Sequence, residues 1–474
     1  MATTAAIGRF ASSTEHPRAA LTPVSLAGPD ERLIQGIWPR SLAVWMVAGY
    51  IALFIIRPWE MLMPALGAIR FERIYAVAMI CAVLVDGFRL RLSSQVVTVL
   101  AFTAMMSICT ANAWSLTAAL PVYYTYLTLV VFFFVLLSVA RTPYTLAFLV
   151  TCYLIAMGLY LSKAVWEYYV NDAHYFAMGV RRLIGIEYTF GGPNEVAGSI
   201  VLSMPMLLFV YSIRREFTAS WPKFWRRWLT RCLAGYFFLA MWAMMLTNSR
   251  SGMVSFALFV GLVAMRGRGI ATKVGYGLAA LALIGVLWVV APPQTKKRLE
   301  TIWNPSAGPA NAYESAMGRV NGLKLGILIF RRFPLLGVGP GNFIPYRIRH
   351  VDGGIWDPHN LLGQSLSEIG LLGTLAFAAL VLVALGNAQR AIRLGPRCRD
   401  PRAVVPWRLA LAARETLILL IFDGLFGHNL LRFTWLWAAG FALMALLQLR
   451  DMMRQERAAE RLEVSTQLLL RVGA

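Results

Sequence analysis

The sequence predicts an all-α, polytopic integral membrane protein of about 12 transmembrane helices, with one large extracytoplasmic loop between the ninth and the tenth. Composition is the first reason. Of the 474 residues, 58% are hydrophobic and only 14% are charged, which is more apolar surface than a soluble protein of this size could bury. The second reason is that apolar runs of about 20 residues, the length that crosses a bilayer as a helix, recur along the chain. The short alternating strands of a transmembrane β-barrel are not seen in the sequence.

Polar segments divide the predicted spans into two groups. A polar cytoplasmic tail without a cleavable signal peptide is expected at 1–40, and a second cytoplasmic tail at 449–474. Spans one to nine occupy 41–291, the large loop occupies 292–359, and spans ten to twelve occupy 360–448. The individual spans are predicted at 41–56, 73–88, 95–111, 119–140, 144–166, 194–213, 232–247, 252–266, 271–291, 360–386, 408–426 and 431–448.

Basic residues in the short connections predict the orientation of the chain. Each connection assigned to the cytoplasm contains arginine or lysine, as the positive-inside rule requires. These connections are 89–94, the turn at Arg141, 214–231, 266–269 and 390–408. Both termini are then cytoplasmic. The net charge of +22 is accordingly attributed to membrane orientation rather than to nucleic-acid binding.

The large loop departs from this rule, because basic residues outnumber acidic ones in 292–359. Two explanations remain open. Arginines could hold an anionic ligand such as a phosphate, or the loop could be attracted to anionic lipid headgroups. Within it, Ala316–Phe330 has the spacing of an amphipathic helix that could lie on the membrane surface, with Phe333-Pro334 ending it. The glycines of GVGPGNF, 337–343, suit a tight loop or a phosphate site.

The segment Asp357-Pro358-His359-Asn360 has the composition of a helix start. Asp357 is expected to cap the helix and Pro358 to occupy its first turn, which places His359 in the first turn at the membrane–water boundary. A neutral histidine at this position can accept a proton from an attacking hydroxyl. The alternative is an interfacial histidine that only hydrogen-bonds.

The helix after His359 contains an acidic residue and two glycines. Glu368 is expected on the helix face opposite His359, and because a carboxylate inside a span is costly, it is expected to have a buried partner. Gly370 and Gly373 are expected to pack closely against another helix.

Two further outer turns place polar side chains beside apolar spans. Arg250 in NSRSG suits an oxyanion or phosphate, or it is an interfacial arginine that snorkels. Arg181 and Arg182 precede GGPNEVAG, in which Asn194 is either a binding or a capping residue. The five cysteines lack metal-ligand spacing, and no Walker A or HExxH motif occurs, so neither a metal nor a nucleotide cofactor is expected.

Together, these motifs resemble the bacterial O-antigen ligase and O-antigen polymerase family of integral membrane glycosyltransferases. The matching segments are GPNEVAG at 192–198, NSRSG at 248–252, GVGPGNF at 337–343, and His359-Asn360 followed after nine residues by GLLG at 370–373. The resemblance implies glycan transfer from undecaprenyl diphosphate at the periplasmic face of the bacterial inner membrane. The acceptor would be a hydroxyl of lipid A-core in a ligase, or of another lipid-linked glycan in a polymerase.

The resemblance also implies roles for individual residues. His359 would activate the acceptor hydroxyl, and Arg250 and Arg319 would hold the donor diphosphate. The remaining candidates for substrate binding are Asn194, Arg181 or Arg182, Arg347 and Arg349. The transfer would need no metal and would invert the anomeric carbon.

Two other functional classes stay open on the sequence alone. A transporter or flippase for a lipid-linked or anionic saccharide would also contain intramembrane arginines, but it would spread them along a central cavity. A transferase would gather Arg250 and Arg319 beside His359 at the outer surface. A non-catalytic assembly scaffold is the third class, and it leaves the outer polar motifs without a role.

Overall fold

The computed structural model describes residues 38–472 except 62, 178–179, 186–190, 268 and most of 291–310. The tail predicted at 1–40 therefore lies almost entirely outside the described residues. The helices are α1 (Leu42–Ile56), α2 (Pro58–Met61), α3 (Pro64–Ala68), α4 (Phe71–Val85), α5 (Ser94–Ala111), α6 (Leu116–Val139), α7 (Pro143–Val170), α8 (Pro193–Phe217), α9 (Lys223–Thr247), α10 (Arg250–Met265), α11 (Ile270–Val290), α12 (Asn311–Arg332), α13 (Phe343–His350), α14 (Leu361–Leu394), α15 (Val404–Asp423) and α16 (Thr434–Val472). One antiparallel hairpin of β1 (Tyr175–Ala177) and β2 (Val180–Arg182) lies between α7 and α8, a small exception to the all-helical prediction.

The helices agree with a chain that crosses a membrane several times. Each segment predicted as a span coincides with one of them. Among the described residues, 7 helices are long and apolar enough to cross a bilayer, namely α5 to α9, α14 and α16, while α1 and α10 are apolar but shorter. The protein is therefore a polytopic helical membrane protein, and the count of about 12 spans stays a prediction. The helix of the last predicted span continues beyond 448, because α16 extends to Val472 through helix-forming Arg, Glu and Ala residues, and the end of the span at 448 stays a prediction.

The C-terminal helices form the centre of the fold. Helices α14, α15 and α16 pack against one another, α15 also packs against α8, and α14 packs against α5. Trp437 of α16 anchors an aromatic cluster, with ring centroids 5.3 Å from Phe132 and 4.9 Å from Phe433. A partly buried ion pair joins the end of α10 to α15, with Arg266 Nη2 2.5 Å from Oε2 of the fully buried Glu415. These contacts fix the helices whose ends form the site described below.

The NSRSG motif is the turn of a tight hairpin between α9 and α10. Asn248 adopts the left-handed conformation, with φ 49°, and so ends α9. Ser249 then caps α10, because its hydroxyl accepts the backbone N–H of Gly252 at 3.3 Å. Arg250 is consequently held in the first position of α10.

The large predicted loop contains two helices in its described part, α12 and α13. The helix predicted at Ala316–Phe330 is confirmed, and it ends at Arg332, just before Phe333-Pro334. Helix α12 packs against α14 through glycine, since a Cβ added to Gly326 would lie 2.5 Å from the carbonyl oxygen of Gly363. The backbones of the two helices thus touch, and the position of α12 is set by α14.

The GVGPGNF segment forms a tight loop against α14. Gly337, Gly339 and Gly341 have positive φ angles of 67°, 98° and 70°, which residues with a side chain rarely adopt. The N–H of Gly339 donates to the Glu368 carbonyl at 2.8 Å. Gly370 has φ 64° and breaks the helical geometry of α14, and a Cβ there would lie 2.4 Å from the Leu335 carbonyl oxygen. Its role is therefore to break α14 and admit this loop, rather than to pack against another helix as expected.

Candidate functional site

Four polar side chains from distant parts of the chain lie together at one end of the helices. We call this group the arginine–histidine cluster: Arg182 at the end of β2, Arg250 at the start of α10, Arg319 on α12, and His359 just before α14. Electrostatic interactions connect them, because Arg182 is influenced by both Arg250 and Arg319, and His359 is influenced by Arg319. The start of α8 and the connection between α15 and α16 complete the surroundings.

Arg182 is the most enclosed member of the cluster, with 5% of its surface exposed. Its Nε donates to the carbonyl oxygen of Thr247 at 2.9 Å, and its Nη2 donates to Asn194 Oδ1 at 2.9 Å. The same amide oxygen of Asn194 accepts the Ser249 hydroxyl at 2.9 Å. Burial lowers the pKa of Arg182 to about 10, since the raising influences of Glu195 and Tyr175 offset it only in part and Arg250 and Arg319 lower the pKa further. This arginine therefore remains charged at neutral pH.

Arg250 and Arg319 bring two more positive charges to the same place. The guanidinium of Arg319 lies over the ring of Phe426, 5.4 Å from its centroid. Burial and then the charge of Arg250 lower the pKa of Arg319, whereas Asp423 raises it. Like charges held together at partly buried positions are unfavourable unless an anion neutralises them. The cluster is therefore suited to bind an anion.

His359 does not lie in the first turn of a helix, which corrects the expectation from the sequence. Helix α14 starts one residue after Asn360, whose Oδ1 caps it by accepting the N–H of Gly363 at 3.0 Å. His359 precedes this cap in the left-handed conformation, with φ 45°. Asn360 replaces Asp357 as the cap because the N–H of Leu361 is taken by the carbonyl of Gly424 at 2.7 Å, which fixes where the helix begins.

Burial is the main influence on the proton affinity of His359. It lowers the pKa of the imidazole, and the charges of His428 and Arg319 lower it further. Asp357 and Glu195 act in the opposite direction. With a pKa below its ordinary value, the ring is neutral at neutral pH and can accept a proton.

A second histidine, His428, lies beside His359 and was not among the residues singled out from the sequence. The two ring centroids are 5.3 Å apart. Its Nε2 lies 3.6 Å from Asp357 Oδ2, while its Nδ1 is buried without a hydrogen-bond partner. One signal was available, because the His-Asn pair at 359–360 recurs at 428–429.

A half-buried ion pair next to the cluster was also missed. Arg432 Nη1 lies 3.6 Å from Asp423 Oδ2, and Arg432 Nη2 donates to the Ser199 hydroxyl and to the Glu195 carbonyl. Gly198 makes room for this pair, since a Cβ there would lie 3.0 Å from the Asp423 carboxylate. The pair ties the connection after α15 to the start of α8. No group of three potential metal ligands occurs in the part of the chain that the structure describes.

A comparison with known protein families matches one region of the chain, and this region contains three of the four residues of the cluster. Residues 235–378 match the O-antigen ligase family. The resemblance drawn from the sequence motifs is thereby confirmed, and the match supports a membrane glycosyltransferase of the O-antigen ligase or polymerase type in general. No curated protein matches this chain.

The O-antigen ligase region contains Arg250, Arg319 and His359, whereas Arg182, Asn194 and His428 lie outside it. Arg182 is nevertheless an electrostatic neighbour of Arg250 and Arg319, and His428 is one of His359. Asn194 bonds to Arg182 and to Ser249, which lies within the matched region. The site is thus built from both the matched region and the helices that flank it.

Three other arginines considered from the sequence have different surroundings. Arg181 is exposed and pairs with Asp172, Nη1 to Oδ1 at 2.6 Å. Arg347 makes a bidentate ion pair with Asp352, with N–O distances of 2.6 and 2.9 Å, so its guanidinium holds a turn. Arg349 lies exposed over the Trp114 ring at 5.3 Å. Within the described residues, none of the three is among the electrostatic neighbours of Arg182, Arg319 or His359.

Glu368 has the buried partners that were expected for it. Its carboxylate accepts the backbone N–H groups of Gly341 and Phe343, and the Gln364 Nε2 at 3.3 Å. Three N–H groups of the glycine loop, those of Gly339, Gly341 and Phe343, are therefore directed to Glu368. This arrangement favours the structural interpretation of GVGPGNF over the phosphate-binding one.

Proposed function

We propose that this protein transfers a glycan from undecaprenyl diphosphate to an acceptor hydroxyl at the periplasmic face of the inner membrane. The observation that carries the proposal is the placement of three partly buried arginines beside a histidine of lowered pKa. Guanidinium groups bind diphosphate bidentately, and the neutral imidazole provides a base within the same site.

The reaction follows from this placement. The acceptor oxygen attacks the anomeric carbon from the face opposite the diphosphate, forming the new glycosidic C–O bond. The bond between that carbon and the diphosphate oxygen breaks, and its electron pair leaves with the lipid diphosphate. The hydroxyl proton passes to His359, and the configuration of the anomeric carbon is inverted. Arginines fixed in advance stabilise the charge that develops on the leaving group.

The cluster supports a transferase over a transporter. A saccharide transporter needs charges distributed along its path, whereas Arg182, Arg250 and Arg319 gather beside His359. The hydrogen bonds from Arg182 to Thr247 and Asn194 hold the Arg182 guanidinium in place, as a preorganised binding site requires.

The test is a rate measurement on the purified protein in vesicles that contain a lipid diphosphate-linked glycan. His359→Ala is expected to lower the transfer rate by about 10²–10⁴-fold, the usual contribution of a general base. His174→Ala is the matched control, because His174 also lies beside an aspartate, with Nδ1 3.4 Å from Asp172 Oδ1, but outside the cluster. Normal turnover by His359→Ala would contradict the proposal.

The acceptor is identified by expressing the same two variants in a deletion strain. Lipid A-core that lacks any attached chain indicates a ligase, and single repeat units indicate a polymerase. An envelope unchanged by the deletion counts against both.

A further inference from the structure

An apolar groove that contains none of the residues of the arginine–histidine cluster lies between α8, α9 and α10. Its volume is about 600 Å³, and its walls are almost entirely aliphatic and aromatic. The wall includes Leu207 and Tyr211 of α8, Thr230, Ala234 and Phe237 of α9, and Phe256 of α10. A groove of this composition on the side of a membrane protein is suited to a hydrocarbon chain.

The stripe of α8 that lines the groove continues into basic residues. Tyr211 is the last wall residue of α8, and Arg214 and Arg215 follow it at the spacing of one helical turn. The Arg214 guanidinium lies over the Tyr211 ring, 3.8 Å from its centroid. One positive charge is therefore held directly above the end of the groove.

The face of α9 that lines the groove also continues into basic residues, at the N-terminal end of the helix. Thr230 is the first wall residue of α9, and Arg226 and Arg227 precede it by one turn. Among the described residues, none of the ion pairs includes Arg214, Arg215, Arg226 or Arg227. These four cations thus lie at one end of an apolar groove, and they outnumber the single carboxylate of this segment, Glu216.

Aromatic side chains mark this end as a membrane–water interface. Phe224, Trp225 and Trp228 stand 65%, 41% and 51% exposed in the first turns of α9. Tryptophan at such positions lies at the level of the lipid headgroups. The apolar groove therefore begins where a headgroup would lie and runs into the hydrocarbon layer.

We infer that this groove binds an anionic phospholipid. An acyl chain occupies the space between α8, α9 and α10, and the headgroup phosphate contacts Arg226 and Arg227, with Arg214 and Arg215 on the other side. The charge complementarity is specific to an anionic lipid, because a zwitterionic headgroup would add a cation next to these arginines. This site is separate from glycan transfer and does not depend on the proposed function.

The test is native mass spectrometry of the purified protein titrated with dioleoylphosphatidylglycerol or dioleoylphosphatidylcholine. The wild-type protein is expected to retain the phosphatidylglycerol preferentially. The double variant Arg226→Gln/Arg227→Gln is expected to bind it about tenfold or more weakly. Arg390→Gln/Arg393→Gln removes the same charge from exposed positions on another helix, and is expected to bind as the wild type does.

A second variant tests the groove itself. Ala234 is an exposed wall residue, so Ala234→Trp fills the groove without disturbing the buried core, and it is expected to abolish the preference. Equal retention of the two lipids, or equal loss in both double variants, would overturn the proposal. So would wild-type binding by Ala234→Trp, since the lipid would then lie outside the groove.

Discussion

His359 lies between side chains that change its pKa in opposite directions. Burial and His428 lower the pKa, whereas Asp357 raises it. Because His428 and Asp357 also contact each other, Nε2 to Oδ2 at 3.6 Å, the three side chains form one electrostatic unit. A histidine that acts as a base needs a neutral ring before the reaction and a stabilised charged ring afterwards. His428 favours the neutral ring of His359, and Asp357 favours the charged one.

These opposite influences predict opposite shifts in the pH profile of transfer. The rate should fall as the pH drops through the pKa of His359, because a protonated ring cannot accept the hydroxyl proton. His428→Asn removes the imidazole that lowers the pKa of His359, so this pKa should rise and the acid limb should move to higher pH. Asp357→Asn removes an anion, so the limb should move to lower pH. Initial rates of transfer measured between pH 5 and 9 locate the acid limb of each variant. If the two variants shift this limb in the same direction, the opposite influences of His428 and Asp357 are contradicted.

At the scale of the secondary-structure element, α12 shows how glycine positions a functional side chain. A Cβ on Gly322 would lie 1.9 Å from the carbonyl oxygen of Pro358, and one on Gly326 would lie 2.5 Å from that of Gly363. Arg319 precedes these glycines by one and two helical turns and so lies on the same face. The close contact of α12 with the segment around His359 is therefore what brings Arg319 to the cluster.

Substitutions at glycines of α12 should distinguish the effect of its contact with α14 from effects on the helix itself. Gly326→Ala should force α12 away from α14, with a cost of roughly 1–3 kcal/mol in stability, and should weaken donor binding through displacement of Arg319. Gly318→Ala lies on the same helix, but a Cβ there would have no atom within 4 Å, so it should be neutral or slightly stabilising. Thermal unfolding and the KM for the lipid-linked donor measure the two effects. A Gly318→Ala protein as impaired as Gly326→Ala would show that helix geometry, rather than the contact, is responsible.

The elements could be predicted from the sequence more completely than the site could. Apolar runs of about 20 residues define spans almost independently of their neighbours, so the helices were found where they were expected. The cap of α14 was misplaced because Asp357 and Asn360 are both good capping residues, and the choice depends on the contact between Leu361 and the distant Gly424. His428 was missed for the same reason, since its closeness to His359 arises from packing of the α15–α16 connection on the start of α14.

At the scale of the whole molecule, the two charged regions lie at opposite ends of the same helices. Helix α8 begins at the arginine–histidine cluster with Asn194 and ends near Arg214 and Arg215, and α9 runs back from Lys223 to Asn248. A helix of 25 residues is roughly 37 Å long, enough to cross the hydrocarbon layer. The basic end should then face the cytoplasm by the positive-inside rule, and the cluster should face the periplasm.

Cysteine labelling tests this orientation. In a background without the native cysteines, Ile355→Cys lies four residues before His359 and is exposed, while Arg393→Cys lies exposed near the end of α14. A membrane-impermeant maleimide should label Ile355→Cys in spheroplasts with an intact inner membrane, because this residue is on the side of the cluster. It should label Arg393→Cys only after the membrane is opened. The reverse pattern would place the arginine–histidine cluster in the cytoplasm, where transfer onto a periplasmic acceptor could not occur.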